Sequence, residues 1–346
     1  MSVKSEMLKL LEANRGLGLS GQEIADRLGV TRAAVWKAVK SLEHEGYKVE
    51  AANNRGYQLS VDSDVLSAEG ISPGLREKYR DYEIHVCKCV DSTNQEIKRR
   101  ALEGAPHGLA VLAEEQTAGK GRRGRGFVSP PGTGIYMSVL FRPAPEQSRD
   151  VILITTAASV AVCRGIRRVL GEEPEIKWVN DVYLRGKKIC GILTEAVSDV
   201  ESGRIDTVVV GIGINYREPP GGFPEPLREL VGALCPETPS DGGCPPPRNE
   251  LAAAVLNELF ALYDDLPDKT FLTDYRQWSN VLGKEVRFTS PEARPDSSEE
   301  WEYGVAVDID DKGGLIVEKG DGTRQILNTG EITLRVNENK AARRQA

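Results

Sequence analysis

Apolar positions along the first sixty residues recur at helical spacing in three runs, then alternate. Met7, Leu8, Leu10 and Leu11 give a first helix one apolar side, and Gly16 and Gly18 end it. Ser20 is a natural N-cap for a short helix, GQEIADRL, whose Ile24, Ala25 and Leu28 share a face. Gly29 suits a tight turn, and Thr31 caps a third helix, RAAVWKAVKSLEHEG, which turns Val35, Val39 and Leu42 to one side and stops at Gly46. YKVEA and YQLSV then make two short strands around the turn NNRG.

Helix–turn–helix followed by a hairpin is the winged-helix pattern, in which the third helix enters a major groove while its neighbour braces on the backbone. With Val35, Val39 and Leu42 inward, the start of that helix at Thr31 and the side chains of Arg32, Ala33, Trp36, Lys37 and Lys40 are left for solvent or DNA. Arg32 and Lys37 are placed for guanine edges or phosphates, and Arg55 at the wing tip for backbone. A module used for dimerisation or regulation, with its basic residues merely solvated, is the alternative.

Residues 62–80 read as a polar connection containing Pro73. Strand-like runs (EIHVCKCV, LAVLAEE, GIYMSVLF, DTVVVGIGIN) then alternate with helical ones (SRDVILITTAASVAVCRGIRRVL, RNELAAAVLNELFALYDDL), which predicts an α/β region over about 81–270. The stretch REPPGGFPEPLRELVGALCPETPSDGGCPPP, between 217 and 248, is dense in Pro and Gly and reads as a surface loop or mobile insertion. The last seventy residues carry short strands (KEVRFTS, WEYGVAVDID, GGLIVEKG, TRQILN, EITLRV), the spacing of a small antiparallel barrel, and NENKAARRQA reads as a frayed tail. No internal repeat is visible.

Composition narrows the class. With 40% hydrophobic and 28% charged residues, 346 residues suffice for two or three ordinary globular domains. No apolar run approaches the roughly 20 residues that cross a bilayer, and the opening MSVKSEMLKLLEANRG lacks a signal peptide's apolar centre, so a cytoplasmic protein without membrane contact is expected. The six cysteines contain no CxxC, and His44, His85 and His107 have no metal-ligand spacing; free thiols are the expectation, with a structural metal or disulfide as the alternative. The net charge of −7 argues against a protein that coats nucleic acid indiscriminately. Residues 1–60 nevertheless hold nine Lys/Arg against seven Asp/Glu, a net of +2, leaving −9 for the rest. A slightly basic head on an acidic body permits DNA contact by the head alone.

Candidate chemistry concentrates in two segments. Gly119-Lys120-Gly121-Arg122-Arg123-Gly124-Arg125 follows the strand-like LAVLAEEQ. Its glycines let backbone approach an anion, and its cations neutralise several negative oxygens at once. A carboxylate activated by a triphosphate poses that problem. No GxxxxGK[ST] occurs, which disfavours P-loop hydrolysis; a basic loop for RNA stays open on this heptapeptide alone. IKWVNDVYL reads as a strand grouping Lys177, Trp178, Asn180 and Asp181, and KKICGILTEA returns Lys188 towards them. Asn180 and Asp181 among apolar strands are costly unless they bind a nucleotide or Mg²⁺; an ordinary Asn/Asp hairpin turn is the alternative. Asp91-Ser92-Thr93-Asn94 offers hydroxyls for a helix cap or a small polar ligand, and Gly211-Ile212-Gly213-Ile214-Asn215 ends a strand with small residues that admit a ligand.

Taken in order, DSTN, EEQTAGKGRRGR, KWVNDVYL, KKICGIL, GIGIN and GEITLR resemble the landmarks of the biotin protein ligase family, specifically its two-function bacterial members with a repressor head. The resemblance runs from about residue 20 to 336. It implies a multidomain α+β fold: a winged helix-turn-helix (1–62), a linker (63–80), a mixed-sheet α/β core of class II aminoacyl-tRNA synthetase and lipoate ligase type (81–275), an SH3-like β-barrel (276–336) and a tail (337–346). It implies that biotin and MgATP give biotinyl-5'-AMP, which a lysine of a biotin carboxyl carrier domain in a biotin-dependent carboxylase then attacks. It also implies a ligand-dependent homodimer on operator DNA.

By position, the resemblance gives Ser92, Thr93, Gln116 and Arg122 to biotin's ureido ring and the activated intermediate, and Gly119, Lys120 and Gly121 to the loop closing over it. Gly191, Ile192, Leu193 and Ile214 line biotin's apolar side. Arg125, Phe127, Lys177, Asn180, Asp181, Asn215 and Arg335 go to ATP, with Asp181 on the metal. Lys188, acting with Arg122, bridges biotin's carboxylate and the α-phosphate as a compact point charge. The chain departs from the family in Val179 where KWPND is usual, in GKG for GRG, and in Gly126-Phe127 where a Trp often stacks on adenine. A lipoate-activating enzyme of the same superfamily and a ligand-sensing transcription factor with a degenerate catalytic domain are the rival readings.

Overall fold

The computed structural model describes residues 2–52, 56–143, 151–198, 205–235, 247–289, 301–328 and 332–334. The head consists of α1 (Val3–Ala13), α2 (Gly21–Leu28), α3 (Arg32–His44), β1 (Val49–Ala52) and β2 (Gly56–Leu59). Local chemistry sets these ends: the hydroxyls of Ser2, Ser20 and Thr31 accept from the backbone N–H three residues on, and Gly29 closes α2 at φ 64°. Met7, Leu11, Ile24, Val35, Val39 and Leu42 then form one core, on the faces that their spacing predicts.

The connection at 62–80 is not a free polar tether. It forms α4 (Ala68–Ile71) and two 3₁₀ turns, and it buries Leu66, Ile71, Leu75 and Tyr79. These four fall five, four and four apart, but Pro73, Gly74 and the polar residues between them hide the pattern in the sequence.

The central sheet contains β3 (Ile84–Val90), β4 (Ala110–Gln116), β5 (Gly134–Phe141), β6 (Glu175–Lys177), β7 (Asp181–Leu184), β8 (Lys187–Ser198) and β9 (Ile205–Asn215). Its order is β3-β4-β5-β9-β8-β7-β6; only β3 and β4 are parallel. α5 (Thr93–Leu102) covers one face, where Ile97 meets Val111, Leu140 and Val209. α6 (Val151–Leu170) and α7 (Arg248–Asp264) cover the other, over Leu112, Val139, Phe141, Val208 and Val210. With both faces covered, β5 is buried along its whole length, which is why GIYMSVLF reads as a nearly continuous apolar run.

α8 (Phe271–Trp278) leads to the C-terminal strands β10 (Glu285–Thr289), β11 (Trp301–Ile309), β12 (Leu315–Glu318), β13 (Arg324–Leu327) and β14 (Ile332–Leu334). They form an antiparallel sheet of order β13-β12-β11-β10-β14. No helix among the described residues is long and apolar enough to cross a membrane, and no group of three or more His, Cys, Asp and Glu side chains there is placed to hold a metal ion. The expected free thiols hold for Cys87, Cys89, Cys163, Cys190 and Cys235; Cys244 lies outside the described residues.

Candidate active site

IKWVNDVYL is a hairpin and not one strand: β6 ends at Lys177, residues 178–180 turn, and β7 begins at Asp181. Its anchors are remote in sequence. The indole N–H of Trp178 donates to the Gly313 carbonyl (2.9 Å), and the Tyr275 hydroxyl donates to the Val179 carbonyl (3.1 Å). Asn180 is tied to β8 twice, Nδ2 to the Ile192 carbonyl at 2.8 Å and its own carbonyl to the Ile192 N–H at 3.0 Å. Lys188 Nζ then lies 2.7 Å from Asp181 Oδ1.

The heptapeptide loop folds back on itself. Gly121 N–H donates to the Arg125 carbonyl (2.7 Å) and Phe127 N–H to the Gly119 carbonyl (2.8 Å), while Arg123 takes the left-handed conformation at φ 55°. Arg122 Nη1 reaches the Asn180 side-chain oxygen at 3.1 Å, joining the loop to the hairpin turn. Phe127 lies over the neighbouring Gly191–Gly213 pair of β8 and β9; a Cβ on Gly213 would stand 2.6 Å from its ring. The loop and the sheet thus touch through an absent side chain.

A cavity of about 510 Å³ lies between them. Of the residues that the resemblance gives to biotin or ATP, it is lined by Ser92, Thr93, Gln116, Lys120, Gly121, Arg122, Arg125, Phe127, Lys177, Asn180, Asp181, Lys188, Gly191, Ile192, Leu193 and Asn215. Two do not line it. Ile214 points into the core with no exposure, because alternation on β9 sends Gly213 and Asn215 to the cavity side. Gly119 is buried behind the loop, where a Cβ would meet the Phe127 carbonyl at 2.5 Å and Ser129 Oγ at 2.8 Å. Arg55 and Arg335 lie outside the described residues.

Hydroxyls and amides order one end of the cavity. Ser92 stands at the N-cap of α5 without making a side-chain cap bond, so the capping alternative fails for it. Gln116 Oε1 accepts from both the N–H and the hydroxyl of Thr93 (2.9 and 3.1 Å), and its Nε2 donates to Ser129 Oγ (2.9 Å). Asn94 lies 2.6 Å from Ser138 Oγ through Oδ1 and donates to Glu195 at 2.8 Å. Burial works to raise the Glu195 carboxyl, but hydrogen bonds from Lys98 and Asn94 outweigh it and hold the group below the ordinary range.

The electrostatics are one-sided. The lining holds the cations Lys120, Arg122, Arg123, Arg125, Lys177 and Lys188 against one carboxylate, Asp181, so the cavity selects for anions. Burial, with the nearby Asp181 charge, pushes the Tyr183 phenol up to about 12, and burial raises the Cys190 thiol well above its usual value. Both stay protonated and take no part as nucleophiles.

Several lining residues escape a sequence reading. Phe223, Leu227, Leu230 and Val231 belong to the stretch expected to be a surface loop or mobile insertion, yet they close one side of the cavity. Lys188 N–H donates to the Leu230 carbonyl (3.0 Å) and Gly232 N–H to the Lys188 carbonyl (2.9 Å), strapping this segment to β8. Asn215 Nδ2 holds the Gly232 carbonyl at 3.1 Å. The available signal was the spacing of those four apolar residues, masked by Pro and Gly. Asn94, the last letter of DSTN, was also passed over.

On the head, Thr31, Arg32, Ala33, Trp36, Lys37 and Lys40 are all exposed, Trp36 by 53%. The Thr31 hydroxyl is engaged in the cap of α3, and Lys40 pairs with Glu43 at 2.6 Å.

Comparison with known proteins adds three family matches: the Biotin/lipoate A/B protein ligase family over residues 86–215, an HTH domain over 3–58 and the Biotin protein ligase C terminal domain over 281–335. The Bifunctional ligase/repressor BirA of Bacillus subtilis is 33% identical over 329 residues, covering 94% of this chain and 97% of that protein. Its Escherichia coli counterpart is 28% identical, covering 91% and 92%. A solved biotin protein ligase from Aquifex aeolicus in complex with biotin and ATP superposes with a TM-score of 0.59 at 26% identity, covering 73% of this chain and 98% of that one.

Proposed function

The chain belongs to the biotin protein ligase family, and from that membership we infer a protein with two functions, an ATP-dependent biotin ligase and a biotin-responsive transcriptional repressor. The ligase joins biotin and ATP as biotinyl-5'-AMP and transfers the biotin to a lysine of a biotin carboxyl carrier protein. The repressor binds operator DNA through α3.

For the first step we assign the chemistry as follows. A carboxylate oxygen of biotin attacks the α-phosphorus of ATP; a P–O bond forms, the α–β anhydride bond breaks, and pyrophosphate leaves. Two anions must meet, and the cationic wall lowers that repulsion. Lys188 bridges the carboxylate and the α-phosphate, with Arg122 steadying the adenylate. Ser92, Thr93 and Gln116 hold the ureido ring, while Gly191, Ile192 and Leu193 form its apolar wall. Lys120 and Gly121 close over the intermediate. Arg125, Lys177, Asn180, Asn215 and Arg335 take the nucleotide, and Phe127 flanks it. In the second step the carrier lysine's amine attacks the acyl carbon, a C–N bond forms, the amine sheds its proton, and AMP leaves.

Mg²⁺ neutralises phosphate oxygens when it arrives with ATP. Asp181, the one carboxylate in the lining, would be the chain's own ligand to that ion. We further assign residues 1–62 to the winged helix, 63–80 to the linker, 81–275 to a class II synthetase-like core, 276–336 to an SH3-like barrel and 337–346 to a tail. Dimerisation on biotinyl-5'-AMP, which brings two heads to two operator half-sites, and a cytoplasmic location complete the reading.

The observation that carries this reading is the Lys188–Asp181 pair beside Asn180 and Arg122, under a cationic loop. Purified chain with Mg²⁺ and ATP should release pyrophosphate with biotin and not with lipoate, and should leave biotin on one lysine of a carrier domain by mass spectrometry. Release with lipoate alone would overturn it.

A further inference from the structure

Asp64, Glu114 and the partly exposed Arg217 gather around the buried Arg248 in a cluster that the adenylation chemistry does not use. The Arg248 side chain is 2% exposed. Its Nη1 donates to Glu114 Oε2 and to the Gly134 carbonyl (both 2.9 Å), its Nη2 to Glu114 Oε1 (3.0 Å) and to the Asp64 carbonyl (2.7 Å), and its backbone N–H to Asp64 Oδ1 (2.8 Å). Arg217 Nη1 pairs with Asp64 Oδ2. Burial works to raise the Asp64 carboxyl, yet the guanidiniums of Arg248 and Arg217 hold it below the usual carboxylate range. Two cations balance two carboxylates, and removing one leaves a buried charge uncompensated.

Each arm of the cluster ends somewhere that matters. Glu114 precedes Gln116 by two residues on β4, so the two share a face. Arg217 follows Asn215 by two; the N–H groups of Tyr216 and Arg217 both donate to the Thr133 carbonyl (2.9 and 2.8 Å), which fixes the end of β9. A third arm leads to the head. Glu114 Oε1 also accepts the Leu66 N–H (2.8 Å), and Asn249 holds the Ser67 N–H and the Val65 carbonyl (each 3.1 Å). Residues 60–69 in turn seat the head: Arg15 donates to the carbonyls of Ser60 (3.2 Å) and Ser63 (2.7 Å), and the Ser5 hydroxyl to Glu69 (2.6 Å).

We infer that Arg248 and Asp64 are positioning residues for the cavity: their cluster fixes Gln116 relative to Asn215, and makes that spacing depend on how residues 60–69 dock. Neither residue lines the cavity. The inference rests on the reading of the cavity as the biotin and ATP site.

The test uses the full chain carrying Asp64→Asn, Arg217→Met or both, assayed well below each variant's Tm. Asp64→Asn should raise the KM for biotin, and its calorimetric Kd, about tenfold. Its kcat should stay within about twofold, since the reacting groups are intact. Arg217→Met, at a half-exposed position, should shift both constants in the same direction by about threefold. The double variant, with charge balance restored, should recover part of the loss. Folded single variants with unchanged KM and Kd overturn the proposal, as does failure of both to fold, which would make the cluster a folding requirement only. Unaltered chain that releases no pyrophosphate with biotin would instead sink the assignment of the cavity.

Discussion

Lys188 and Asp181 face each other on the neighbouring strands β7 and β8, Nζ to Oδ1 at 2.7 Å, and Asn180, in the turn that precedes β7, ties the open end of that hairpin to Ile192. The pairing holds the ammonium in one orientation inside a concave site before any substrate arrives. On the function proposed above, an entering carboxylate would replace Asp181 as its partner instead of recruiting a solvated amine, leaving little reorganisation for the reaction itself.

Lys188→Ala should therefore lower kcat for biotin-dependent pyrophosphate release by about 10²–10³-fold, a loss of about 2.7–4 kcal/mol of transition-state stabilisation. Lys188→Arg should recover only part, since a planar fork does not reproduce a point charge. Initial rates at saturating ATP decide this; an alanine variant with normal kcat removes Lys188 from the mechanism.

Gly213→Ala places a methyl group 2.6 Å from the Phe127 ring and must push the ring off the sheet. Since Phe127 follows directly on the cationic loop, the KM for ATP or biotin should rise by about tenfold, a loss of about 1.4 kcal/mol. The same variant combined with Phe127→Ala should regain affinity if the clash is the cause. Calorimetric titration of both variants measures it.

Arg32→Ala and Lys37→Ala should weaken operator binding while leaving carrier biotinylation unchanged, because α3 lies on the head and shares no residue with the cavity. A lost phosphate contact flattens the slope of log K against log salt by about 1, whereas a lost base contact costs about 1–3 kcal/mol and relaxes specificity. Fluorescence anisotropy across a salt series separates the two. Unchanged operator affinity in both variants would leave the helix as a packing module.

His107 gives a pH signature. Burial depresses its pKa below the ordinary imidazole value, and Nδ1 accepts the Arg142 N–H at 3.2 Å. The unfolded chain thus binds a proton at a higher pH than the folded one. The stability it contributes is complete above the ordinary imidazole pKa and is lost as pH falls through the folded value. Tm should drop on acidification from neutral pH, and His107→Phe should flatten that drop. Parallel Tm curves for the two proteins would refute it.

The head was legible because its signals are local: Ser20, Gly29 and Thr31 set helix ends within three residues of the groups they satisfy. The site was legible in its residue types and less so in its shape. The turn after Lys177 is held by Tyr275 and Gly313, 96 and 135 residues distant from their partners. Periodicity read over a nine-residue window joined the two strands of that hairpin into one. The Arg248 cluster was invisible for the same reason, with partners 184 and 134 residues away. Ile214 was misplaced because a run of apolar and glycine residues hides which of two alternating faces meets the ligand.

The hydrogen bond from Trp178 to the Gly313 carbonyl also bears on the order of synthesis. The turn at 178–180 takes one of its fastenings from a residue 135 positions later, so it can be secured only once Gly313 has been synthesised. A product truncated short of Gly313 would carry Lys177, Asn180, Asp181 and Lys188 and still lack that clasp. The C-terminal strands thereby reach back to steady a turn that lines the cavity.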